Sequence, residues 1–148
     1  METEIRNGND EKKAYLRRYG DDLRAERKIE EEITQLRLDT MMPAVANDGM
    51  PHGSGGCGDL SGYAAQVDAL LNDLKEQIEK RIKIRREIIE RIETMQNESE
   101  KTVLMLRYIH LLKWTDIANK MRIGERYAKR VHGRALVSFT IVEGEHVR

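Results

Sequence analysis

The chain has 148 residues, and its 26 basic and 26 acidic side chains give a formal net charge of zero. Charged residues make up 35% of it, and no apolar run approaches the roughly 20 residues that a membrane-spanning helix requires. The acidic N-terminus is followed by no apolar stretch, which argues against a secretory signal. A single cysteine excludes an intramolecular disulfide and fits a reducing cytoplasm. The length favours one domain, or a small domain with an appendage.

The N-terminal region, residues 1–40, carries one narrow apolar stripe on a charged background. Apolar residues recur three or four positions apart between residues 10 and 39, which predicts an amphipathic helix. Gly20 lies inside this pattern, where glycine costs roughly 1 kcal/mol relative to alanine. A kink or break at Gly20 is therefore one expected outcome.

The next two regions differ sharply in composition. Residues 41–59 hold both prolines and five of the eleven glycines but no Lys or Arg, which predicts a flexible linker. Residues 60–96 then show a helical apolar period and predict a second long helix. Its single apolar stripe needs a partner, either helix 10–39 in an antiparallel hairpin or a second copy of the protein.

The C-terminal region, residues 97–140, has denser apolar residues in shorter segments. Asn97 and Glu100 have the spacing of a capping box, and a helix follows them as far as a turn near Leu112. A short helix over 114–121, a turn at 122–124 and a third helix over 125–139 come next, before a tail at 141–148. A short helix, a tight turn and a second helix are typical of a helix-turn-helix. The whole chain is therefore expected to be all-α, with a long helical hairpin followed by a helix-turn-helix domain.

Charge is distributed unevenly along the chain. Residues 1–97 have sixteen basic and twenty acidic side chains, whereas residues 98–148 have ten basic and six acidic ones. Residues 120–134 alone carry six basic residues and one acid, a net charge of +5. A basic surface on a helix-turn-helix is the pattern expected for phosphate binding. We also expect the acidic helices to limit nonspecific DNA binding, so that a fragment of residues 97–148 binds random DNA more tightly than the full chain.

Three local strings carry a resemblance to known proteins. Leu-Arg-Tyr at 106–108, Trp-Thr-Asp-Ile-Ala at 114–118 and the run from Glu125 to Leu136 resemble the region-4 helix-turn-helix of bacterial sigma factors. His-Gly-Arg-Ala-Leu at 132–136 also looks like small prophage proteins of Gram-positive bacteria, related to ArpU-type transcriptional activators. The long helices and the Pro/Gly-rich linker are similar to that family too. The resemblance implies a phage transcription regulator in the bacterial cytoplasm, with RNA polymerase as a further partner.

The chain departs from this pattern at two helix starts. The pattern has a turn glycine and a capping serine before the tryptophan helix, where this chain has Leu111 and Lys113. It has serine at the start of the reading helix, where this chain has Gly124. Glycine is an acceptable N-cap and lysine a poor one.

Candidate DNA-binding residues follow from the helix-turn-helix and the resemblance. Residues expected to face the major groove, where an arginine can pair with guanine, are Arg126, Tyr127, Lys129 and Arg130. Phosphate contacts position a protein on DNA without reading its sequence. The residues placed for such contacts are Lys120, Arg122 and Arg134. The plain alternative is that this basic helix face is only a solvated surface.

Two other functions stay open at this point. A phage DNA-packaging subunit similar to a small terminase also combines a helix-turn-helix with oligomerising helices, and a helical protein-interaction module would leave the basic face unused. We expect no enzyme, because no phosphate-binding loop or catalytic set is recognisable. We expect no cofactor or metal either, since Cys57 and His52 lack the further ligands that a site needs.

Overall fold

The computed structural model describes the backbone of residues 2–41 and 56–141, and the side chains of residues 8–41 and 61–141. Within these ranges the protein is all-α, as predicted, with no strand. The elements are α1 (Glu2–Met41), α2 (Gly56–Glu93), α3 (Glu98–Leu104) with a π-helical extension (Met105–Ile109), α4 (Trp114–Met121) and α5 (Glu125–Ser138). None of the helices in the described ranges is long and apolar enough to cross a membrane.

The limits of the two long helices differ from the predicted ones. α1 continues through Gly20 without interruption, so a break there does not occur. Gly20 is buried, and packing along the helix outweighs its low helix propensity. α2 begins at Gly56, inside the predicted linker, and ends at Glu93, three residues before the predicted limit. The rest of the predicted linker, residues 42–55, lies outside the described residues, as do residues 142–148 of the tail.

The chain divides into two compact units. The first consists of Met1–Asp22 and Arg81–Arg148, and the second is Leu23–Lys80. In the first unit the Tyr15 hydroxyl of α1 donates to Glu87 Oε1 of α2 at 2.7 Å. In the second unit α1 and α2 together line an apolar hollow of about 460 Å³ that includes Leu36 and Leu70. α1 therefore contacts α2 of the same chain in the first unit, and the two helices line one hollow in the second, as expected for a hairpin.

The segment between α2 and α4 is tightly turned at both ends. Asn97 caps α3, and its side chain accepts a hydrogen bond from the Glu100 amide at 3.1 Å. The π-helical extension ends at Ile109, up to three residues before the predicted turn near Leu112. His110 N still bonds to Met105 O at 3.0 Å in the π-helical register, and the backbone turns at Leu111. Leu111 has a φ of 56°, in the left-handed region that favours glycine. This is the position where the resembled family has its turn glycine.

Candidate nucleic-acid interface

α4 and α5 form the helix-turn-helix frame. α4 closes with a Schellman motif, in which Ile123 N bonds to Ala118 O at 3.0 Å and Arg122 N bonds to Asn119 O at 3.2 Å. Arg122 takes the left-handed position of this motif, with φ 55°, although glycine is the usual residue there. Gly124 is the N-cap of α5, so the turn between the two helices has the predicted three residues.

The inner face of α5 anchors the frame. Its apolar residues Ala128, Val131, Ala135 and Leu136 are all buried, and α5 packs against α3 and α4. On α4, Ile117 and Ala118 are buried, whereas Trp114 and Met121 are half-buried. The small side chains of Ala118 and Ala128, both buried, suit a close crossing of α4 and α5.

Two arginines lie opposite this buried stripe. At 100° of rotation per residue, Arg126 and Arg130 point almost directly away from Ala128 and Ala135. Both side chains are exposed, and neither makes an ion pair within the described part of the chain. No described acidic group therefore competes with an external acceptor for their guanidinium groups.

The other candidate residues of α5 flank these arginines. Lys129 lies on one flank, where its Nζ pairs with Glu125 Oε1 at 3.0 Å. Tyr127 lies on the other flank, 48% exposed. Its hydroxyl accepts a hydrogen bond from Arg134 Nη2 at 3.4 Å, and the Arg134 guanidinium lies 5.7 Å from the centre of its ring. Arg134 is thus folded back along the helix over Tyr127.

Lys120 and Arg122 lie outside α5 but lead into it. Lys120 is in the last turn of α4 and Arg122 is in the connecting turn, so both precede the N-terminus of α5 by a few residues. Both side chains are exposed and make no ion pair among the described residues. The structure therefore gathers the seven predicted residues on α5 and at its entry, with Lys129 and Arg134 already engaged by neighbours.

His132 lies on the inner side of α5, away from this surface. Its Nε2 is 2.8 Å from the Tyr108 hydroxyl, and the Trp114 ring meets it edge-on at 5.1 Å between centroids. Burial, and to a lesser extent the nearby charges of Lys13, Arg107 and Arg17, together lower the pKa of His132 to about 4. The ring is therefore neutral at physiological pH and acts as a packing and hydrogen-bonding group.

Sequence reasoning missed the part that α1 plays in holding α5. Lys12 Nζ donates to Leu136 O at 2.8 Å and to Val137 O at 3.2 Å. α5 has no basic residue in its own last turn, so Lys12 supplies the cation that favours a helix C-terminus. Phe139, which is fully buried, packs its ring 5.8 Å from that of Tyr15. The aromatic residues of the α1 stripe were the available signal, but their periodicity did not identify the partner.

The described residues contain no group of three or more His, Cys, Asp or Glu side chains that could hold a metal ion. The side chains of Cys57 and His52 lie outside the described ones. In comparisons with known proteins, no family model, no curated protein and no solved structure matches this chain significantly.

Proposed function

We propose that this chain binds double-stranded DNA sequence-specifically through the outer face of α5 and acts as a phage-type transcription regulator. The observation that carries the proposal is that Arg126 and Arg130, on the second helix of a helix-turn-helix, are exposed and form no ion pair with the described residues. Two like charges four residues apart destabilise a helix by a few tenths of a kcal/mol. An anionic ligand on that face offsets this repulsion, and the major groove accepts a single helix.

The candidate residues divide by the contact that each can make. Arg126 and Arg130 lie in the N-terminal half of α5, the part that meets base edges in a helix-turn-helix, and an arginine there can pair with guanine O6 and N7. Lys120 and Arg122 precede that end of the helix and suit phosphates, which fix the register. Lys129 contributes less to DNA binding because its Nζ is paired with Glu125.

Selection of bound duplexes from a random DNA pool, with mass measurement of the complex, tests the proposal. A recovered sequence motif supports specific binding, its symmetry gives the number of half-sites, and the mass gives the stoichiometry. Recovery of no duplex above background would refute DNA binding. RNA polymerase as a partner, and a location in the bacterial cytoplasm, are parts of the proposal that come from the resemblance.

Replacing Arg126 and Arg130 with alanine tests which surface reads the sequence. The double variant should keep its helical content, because both side chains are exposed, and should lose its preference for the selected site. Arg37→Ala with Lys75→Ala is the matched control, since it removes two exposed positive charges from α1 and α2. If site preference survives the first pair, α5 is not the reading helix.

DNA packaging is the second candidate, and one observation favours it. The apolar hollow between α1 and α2 in the second unit, together with Leu38 at 50% and Leu71 at 42% exposure, gives a surface suited to self-association. A small terminase subunit needs such a surface to form a ring. A defined ring in solution, measured by light scattering, favours packaging, and a monomer or dimer that shifts a promoter fragment favours regulation.

A further inference from the structure

Gly133 lies in the middle of α5, where no described residue requires a glycine. Glycine in a helix interior is unfavourable relative to alanine because it loses more backbone freedom on folding. A Cβ atom added at Gly133 would meet no described atom within 4 Å, and the residue has ordinary helical geometry. Alanine would therefore fit and would favour the helix. The absence of a side chain is useful only to something that approaches from outside.

The surface around Gly133 is a cationic hollow. Gly133 lies in a depression of about 490 Å³ between Arg130 and Arg134, with Tyr127 at one end and Val137 at the other. Arg130 and Arg134 are four residues apart, so their charges repel each other along the helix. Neither forms an ion pair within the described ranges, and Tyr127 gives Arg134 only a neutral hydroxyl partner. Two arginines that line one hollow, with no carboxylate among its lining residues, suit an anion.

We propose that this hollow holds one phosphodiester group of the bound duplex. Gly133 lets the sugar–phosphate strand approach the α5 backbone, Arg134 neutralises the phosphate, and Tyr127 is a positioning residue that holds the Arg134 side chain over the hollow. Val137, which is 62% exposed, contacts the sugar at the other end. This inference rests on the proposed function and goes beyond it, because it gives Gly133 and Tyr127 roles in affinity rather than in base reading.

Gly133→Ala separates stability from binding. The variant should unfold about 2–4 °C higher than the wild type, because alanine favours the helix. Its affinity should fall about tenfold, and equally for the selected site and for random duplex, since one charge-assisted contact is lost. The slope of log affinity against log salt should flatten by about one. Gly62→Ala is the matched control: Gly62 is also exposed within a helix and also has open space around it. This control should gain the same stability with unchanged DNA affinity.

A double-mutant cycle tests whether Gly133 acts through Arg134. If both serve one phosphate, Gly133→Ala with Arg134→Ala should bind little more weakly than either single variant. If the losses of DNA affinity of the two single variants multiply in the double variant, the two residues do not share a contact. Unchanged affinity and salt slope in Gly133→Ala would overturn the inference while leaving DNA binding intact. Absence of duplex binding by the wild type would instead refute the proposed function, and this inference with it.

Discussion

Acidification should destabilise the fold through His132. In the folded chain its ring is half-buried between Tyr108 and Trp114, and burial together with three nearby cations lowers its pKa to about 4. An unfolded histidine has a pKa of about 6.5. The unfolded chain therefore binds a proton at this position more readily than the folded chain, and protonation draws the equilibrium toward unfolding.

The pKa difference sets the size of the effect and the pH range in which it occurs. One pKa unit corresponds to about 1.4 kcal/mol, so the fall from 6.5 to about 4 corresponds to roughly 3 kcal/mol at most. Because the ring is partly exposed, solvent screening reduces this to about 2 kcal/mol. The stability that depends on a neutral His132 is fully present above pH 6.5, declines as the pH falls toward 4 and is absent below that.

Urea unfolding of the wild type and His132→Gln at about pH 7.5 and about pH 4.5 measures the effect. Glutamine can keep a neutral hydrogen bond to the Tyr108 hydroxyl but does not titrate in this range. On acidification the free energy of unfolding of the variant should therefore fall by about 2 kcal/mol less than that of the wild type. His110→Gln, which removes an exposed histidine, should behave like the wild type. Equal losses of stability in the wild type and His132→Gln would show that other groups cause the acid sensitivity.

Three further substitutions test the packing and the helix ends, with the free energy of unfolding as the measurement. Leu111→Gly should stabilise by about 0.5–1 kcal/mol, because glycine relieves the left-handed strain and the greater freedom of the unfolded chain offsets part of the gain; a loss of stability would contradict this. Lys113→Ser should add about 1 kcal/mol, since the N-cap of α4 now makes no side-chain hydrogen bond; no gain would mean that serine does not cap. Phe139→Ala should remove about 3–5 kcal/mol by opening a cavity against Tyr15, and a loss below about 1 kcal/mol would refute that packing.

Local patterns in the sequence predicted most of the helical architecture. The 3.6-residue period located both long helices, and the alternation of apolar segments with turn residues placed α4 and α5 to within one residue. The buried positions of α5 followed from the same period, because a helix against a core must turn one face inward. These features depend on residues within a few positions of one another, so the sequence alone contains them.

Features that depend on distant residues could not be predicted in this way. The contact of Lys12 with the last carbonyls of α5 joins residues more than 120 positions apart. The burial of Phe139 likewise depends on Tyr15, and a helical period cannot say which helix covers which stripe. The π-helical extension is a shift in hydrogen-bond register, to which apolar spacing is insensitive over a single turn.

The two structural units separate acidic from basic parts of the chain at different residues than the sequence division at residue 97. The unit Leu23–Lys80 has six basic and eleven acidic residues, a net charge of −5, and the unit that holds α5 therefore carries +5. The N-terminal half of α1 belongs to the basic unit, although the sequence grouped it with the acidic helices. A fragment of residues 97–148 would lack Lys12 and Tyr15, so its affinity for random DNA would reflect lost packing as well as lost acidic charge. Neutralising acidic side chains within Leu23–Lys80 of the full chain separates these two effects, because the packing around α5 then stays in place.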